Sequence, residues 1–168
     1  MLASGPGCSR CQPPVSRCGG RLCPSARSPR LGGLGKEPTR LFPVIVLLSL
    51  VTVEYGGWAL LGFLTGHGTL GGFGERFFRA GHAHAGVLLV LSLAYFSYLG
   101  RAGYSVGVQW LAGALLLTGV LAQSGGFFVH MGLGQQGRGS PGTVLTRAGA
   151  LLIAAALTIL AIGLITHG

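Results

Sequence analysis

Hydrophobic and polar positions in this chain are sorted into blocks. From residue 41 onward, long apolar runs alternate with short polar connections. A helix needs about 20 mostly apolar residues to cross the hydrocarbon core of a bilayer. Four segments meet that length: residues 41–64, 77–99, 106–131 and 144–166. Pro43 falls in the first turn of the first span, where its missing N–H is tolerated. Gly125 and Gly126 interrupt the third span, which has an alternative end near Ala122 that leaves SGGFFVHMG as an interfacial piece. The connections are short, and residues 132–143, GLGQQGRGSPGT, read as a plain loop. Short connections force antiparallel neighbours. The pattern therefore predicts an all-α fold, a membrane-embedded up-down-up-down bundle of four transmembrane helices. Phe42, Phe77, Phe78, Tyr98, Tyr104 and Trp110 fall near span ends, as an interfacial aromatic belt requires. Ala150 and Ala154, four apart on the last span, offer a small-residue face for close helix contact.

Composition strengthens this picture. Only 9% of the 168 residues are charged, against about 25% in soluble domains. The charges also cluster: Arg10, Arg17, Arg21, Arg27, Arg30, Lys36 and Arg40 all lie in residues 1–40. That segment is rich in Gly, Pro, Ser and Arg and has neither helical nor strand periodicity. It cannot bury enough apolar surface to offset its ordering entropy, so a basic, disordered N-terminal tail is expected. It lacks the apolar core of a signal peptide. All four cysteines lie here, as Cys8, Cys11, Cys18 and Cys23. The first two form a CxxC pair, but the second spacing is CxxxxC and no His lies nearby, so scattered thiols are expected rather than a zinc knuckle. The excess of Arg and Gly also suits a GC-rich reading frame upstream of a true start, and the tail accordingly carries little weight.

The net charge of +9 does not point to nucleic acid. The tail has no aromatic residue before Phe42 and so no stacking platform for bases. Lys and Arg bias sets membrane orientation instead. With the tail counted, the N-terminus, Arg101 and the C-terminus are expected in the cytoplasm. Arg76, Arg79 and Arg138 then fall on the other side, and Arg147 sits just inside the last span. Without the tail, Lys36 and Arg40 are nearly all that favours this direction.

The few ionisable residues within the spans are the candidates for function. Glu54 lies near the middle of the first span, where an ionisable group costs about 2.5–3.5 kcal/mol on the insertion scale. It is expected to face the bundle interior, to be protonated, or to pair with an Arg such as Arg79 or Arg147. A carboxyl so placed serves a proton relay or a ligand, or only joins helices. His82 and His84 open the second span, His130 closes the third, and His67 follows the first. The antiparallel topology puts these four histidines, Arg79 and Arg147 on the side opposite the N-terminus. At 1.5 Å rise per residue Glu54 lies about 15 Å below the end of its span and His84 about 10 Å below the start of its own. Modest tilt brings them together, so Glu54, His82, His84, His130 and Arg79 are expected to form one polar cluster.

Imidazole binds Zn, Cu and Fe, and two facing histidines can ligate a haem. His82 and His84 stand about 200° apart on a helix and cannot both face one ion unless the GHAHAG glycines leave that turn non-helical. Either of them with His130 is the open alternative for a haem or metal. Interfacial histidines bonded to backbone or to Tyr55 are the simpler expectation. No HExxH, GxSxG or P-loop is present, and GTLGGFGERF has neither a preceding strand nor a following Lys.

TVEYGGWALLGFLTG followed by FFRAGHAHAGVLLVLSL resembles a group of small bacterial four-span membrane proteins with no assigned activity. The likeness is best over residues 50–100 and implies the fold rather than a function. GHAHAGVL is also similar to His-bearing helices of membrane haem proteins such as oxidase catalytic subunits. The further ligand pattern of those proteins is missing, so no ligand carries over. The leading expectation is a non-enzymatic protein of the bacterial cytoplasmic membrane, in contact with lipid and free of nucleic acid, alone or in a homo-oligomer or larger membrane complex. The alternatives are a haem- or metal-binding subunit and a proton-coupled carrier or channel centred on Glu54.

Overall fold

The computed structural model describes residues 37–66 and 71–167. Residues 1–36 of the tail with the four cysteines, His67 and Gly168 lie outside the described residues, whereas residues 38–40 of the expected tail belong to the first helix. Four helices follow one another: α1 (Pro38–Leu64), α2 (Gly72–Leu99), α3 (Val106–Leu133) and α4 (Pro141–His167). All four are long and apolar enough to cross a membrane. The protein is a multi-pass membrane helical bundle.

Three helix starts differ from the apolar pattern, and each has a local cause. α1 starts at Pro38 rather than Leu41, with Pro in its first turn. α2 starts at Gly72 rather than Phe77, because Glu75 occupies its first turn and bonds Arg79 one turn on at 3.3 Å. α4 starts at Pro141 rather than Val144. Pro suits the first helical position, and Ser140 before it caps the helix. The Ser140 Oγ accepts the N–H of Gly142 at 3.1 Å, and Thr143 Oγ accepts the N–H of Ser140 at 3.3 Å. Each satisfies a donor that a helix start leaves open.

α3 runs unbroken through Gly125 and Gly126 to Leu133. The reason lies across the interface. A Cβ on Gly126 would stand 2.6 Å from the carbonyl oxygen of Gly142, and one on Gly149 would stand 2.7 Å from that of Gly119. Gly119 and Gly126 on α3, and Gly142 and Gly149 on α4, are each seven residues apart. A seven-residue repeat keeps one seam facing its partner in a left-handed pair. With lipid as apolar as the side chains, close packing of this kind drives helix association. Ile153, Ala156, Leu160 and Gly163 carry the α4 seam onward as buried residues. Ala150 and Ala154 instead lie on the exposed face, so the small-residue contact uses glycines one position away.

At the end near the α1 N-terminus an aromatic cluster locks three helices. Phe42 is buried, stacks on Phe96 at 5.2 Å and meets Trp110 edge-on at 4.9 Å. A Cβ on Gly113 would overlap the Phe42 ring. Phe42 and Trp110 therefore pack inward and do not form a belt. The Tyr95 and Tyr104 hydroxyls donate to the Ala156 and Ile159 carbonyls of α4 at 3.1 and 2.8 Å.

α2 has 28 residues, about 42 Å of helix, against a hydrocarbon core of about 30 Å. Its first eight residues include Glu75, Arg76 and Arg79, which places the core boundary near Ala80. His82 packs on Gly56 and Gly57 of α1, so the boundary crosses α1 near the exposed Trp58. The hairpin of α1 and α2 thus extends past the hydrocarbon on the side where α3 ends and α4 begins.

Candidate functional site

α2 is helical through GHAHAG, so His82 and His84 diverge as helix geometry requires. His82 turns to α1. Its Nδ1 would lie 3.3 Å from a Cβ on Gly56 and its Nε2 3.3 Å from a Cβ on Gly57. Two glycines make the seat for this one ring. His84 turns to α3, lies 4.7 Å from the Phe127 ring, and donates from Nδ1 to the Ala80 carbonyl at 2.9 Å.

His130, in the last turn of α3, is the most enclosed of the described histidines at 8% exposed. Phe77 and Phe73 of α2 lie against its ring at 4.5 and 5.7 Å. Its Nδ1 meets the Ser140 Oγ at 2.5 Å and the Thr143 Oγ at 3.3 Å. Both hydroxyl oxygens already accept backbone or loop N–H groups, so their own hydrogens are free to donate. Two donors converging on Nδ1 make it the acceptor and assign the ring proton to Nε2. The Nε2 has no partner among the described residues.

The helices leave two adjoining clefts that share Phe77 and His130. The deeper holds about 200 Å³ between Phe77, Phe127, Gly126, Thr146 and Arg147. The shallower holds about 390 Å³ and adds Phe73, Arg76 and Gln136. Arg79 is committed to Glu75. Arg76 and Arg147 are exposed and have no acidic partner among the described residues. The arrangement is a phenyl-walled groove at the membrane boundary with an N–H donor at its centre and a guanidinium on each side. Guanidinium groups bind carboxylate or phosphate oxygens in pairs.

The expected single cluster is thereby divided. Glu54 lies on the exposed face of α1 and has neither hydrogen bond nor ion pair to another described residue. The reason is helical phase. Val53 faces Gly86 of α2, and the next residue is turned about 100° away. Neither Arg79 nor Arg147 reaches it. The pairing of His84 with His130 for a haem or metal meets a file of phenyl rings: His84 lies on Phe127, Phe127 is 6.4 Å from Phe77, and Phe77 lies on His130. His82 is on the far side of α2 from His130. Among the described residues no three His, Cys, Asp or Glu side chains gather as a metal site.

The residues that complete the His130 site include Ser140, Thr143, Arg76 and Phe73, none of which stands out by hydropathy. One signal was present. Ser-Pro-Gly-Thr ahead of an apolar run is a helix start, with a capping hydroxyl and Pro at the first position. No protein family, no characterised protein and no solved structure matches this chain.

Proposed function

We propose that this is a non-enzymatic protein of the bacterial cytoplasmic membrane, with both termini in the cytoplasm, whose working part is the His130 cleft. The cleft seats the anionic headgroup of a lipid in the opposite leaflet. One observation carries the reading: a histidine 8% exposed, held at Nδ1 by two hydroxyls, with Nε2 left unbonded in a groove beside Arg76 and Arg147. The two clefts also divide by chemistry. Arg76 and Gln136 line the shallow one beside Phe73, while Phe77, Phe127 and Gly126 wall the deep one with Arg147 and Thr146 beside them, which suits a headgroup held between the two guanidinium groups and an acyl chain along the rings. Arginines on the translocated side run against the usual charge bias, and a binding role accounts for keeping them.

The test uses the full-length protein in bilayers of phosphatidylcholine with a minority of phosphatidylglycerol, and mass spectrometry of the lipid that stays bound. Each cation near the surface contributes about 1 kcal/mol toward anionic lipid. Arg76→Gln with Arg147→Gln should lower retained phosphatidylglycerol about tenfold or more, and His130→Ala should lower it too. Arg138→Gln, in the loop outside both clefts, should change it little. Equal retention of both lipids by the wild type sinks the reading. A reporter fused after Gly168 should be active only in the cytoplasm.

A further inference from the structure

The face of α1 turned away from α2 carries a regular pattern. Val44, Leu47, Val51, Glu54, Trp58 and Leu61 follow one another at intervals of three and four. The five apolar members are between 44% and 69% exposed, and Glu54 is exposed with them. This is the alternation of the two seam positions of a left-handed coiled coil, where a single polar seam residue sets register and number of strands. Trp58 sits at the boundary, and lipid covers Val44, Leu47 and Val51 without penalty. It does not cover Glu54, about 6 Å inside the boundary at Trp58, because a carboxyl in hydrocarbon is costly unless its hydrogen-bonding groups are met.

We infer that α1 is a self-association helix and that two copies of this chain pair along this seam, with Glu54 against Glu54. Three considerations select a second copy. First, a polytopic chain inserts in one orientation, so two α1 helices meet parallel about a two-fold axis normal to the membrane. In that arrangement each seam position meets its own counterpart. Second, a carboxylic acid is both donor and acceptor, so Glu54 completes its own twin, and two such groups close a reciprocal pair of hydrogen bonds. Third, a different partner has to bring a cation or an amide to this depth, and the seam shows no second polar position to match one. Trp58 and Val51 flank the pair and close it from water above and lipid below.

The inference is independent of the His130 cleft, which lies across α2 from this seam. It is tested with full-length chains bearing donor or acceptor fluorescent proteins after Gly168, reconstituted together in phosphatidylcholine vesicles at falling protein-to-lipid ratio. Wild type should show energy transfer that persists on dilution. Glu54→Leu, which removes both donor and acceptor but keeps an apolar seam, should weaken association about tenfold. Glu54→Gln, whose amide also donates and accepts, should keep most of it. Leu151→Ala, on the exposed face of α4, should leave it unchanged. Monomeric wild type at every ratio, association of Glu54→Leu as tight as wild type, or loss on Leu151→Ala equal to that on Glu54→Leu each overturns the proposal.

Discussion

α1 and the α3–α4 pair are built from the same few residue types and use them in opposite ways. α3 and α4 approach so closely that backbone meets backbone at Gly119, Gly126, Gly142 and Gly149. α1 is pinned at one end by Phe42, touches α2 through Val53 and the two glycines under His82, and leaves Leu48, Val51, Tyr55 and Trp58 bare. In lipid, apolarity does not decide which helices bind. Shape does, and glycine at the seam gives α3 and α4 a shape that α1 lacks.

Substitutions should separate the two regimes. Gly149→Leu should be the most disruptive single change, because its Cβ alone would meet the α3 backbone; overpacking costs typically 1–3 kcal/mol and more where the backbone cannot move. A loss of about 4 kcal/mol in reversible denaturant unfolding is expected, while Gly62→Leu on α1, with open space around it, should cost almost nothing. Equal losses erase the distinction.

Phe42→Ala should come next, at about 3 kcal/mol, since it removes the stack on Phe96 and the edge contact with Trp110. Amide exchange should then rise along α1 and stay low in α3 and α4. A uniform rise would mean that α1 is as integral as the others.

Ser140→Ala should cost about 1–2 kcal/mol, from the cap of α4 and the bond to His130 together. Ser140→Thr should recover most of it. The imidazole ¹⁵N shifts of His130 should move in the alanine variant and return in the threonine one. Gly57→Ala is the mildest expected change, about 0.5 kcal/mol, because the new methyl would touch only the His82 ring at 3.3 Å. A larger loss would mean that α1 is held by that seat rather than by Phe42.

The four spans were legible because each is a long apolar run, and length is a signal that no single residue can upset. The starts of α2 and α4 were less so: GFGERFF and SPGT read as connection by hydropathy, and only capping chemistry marks them as helix. The divergence of His82 and His84 followed from two-residue spacing alone. The outward turn of Glu54 did not, because α1 is apolar nearly all round and its sequence shows no preferred face. The same holds for the bond between His130 and Ser140, which depends on how α3 and α4 dock. In a soluble helix the polar face announces the inside by contrast; in lipid that contrast is gone.

The glycine seam also bears on the order in which the protein is made. Of these four helices translation delivers α1 first and α4 last, so the one with the least buried span precedes the other three and the tightest pair closes after them. Until α4 arrives, α3 has no seam partner and His130 has no hydroxyl at Nδ1. Completion of the last helix therefore finishes both the scaffold and the cleft in one step, and a chain stopped after Leu133 would hold three spans with no assembled site.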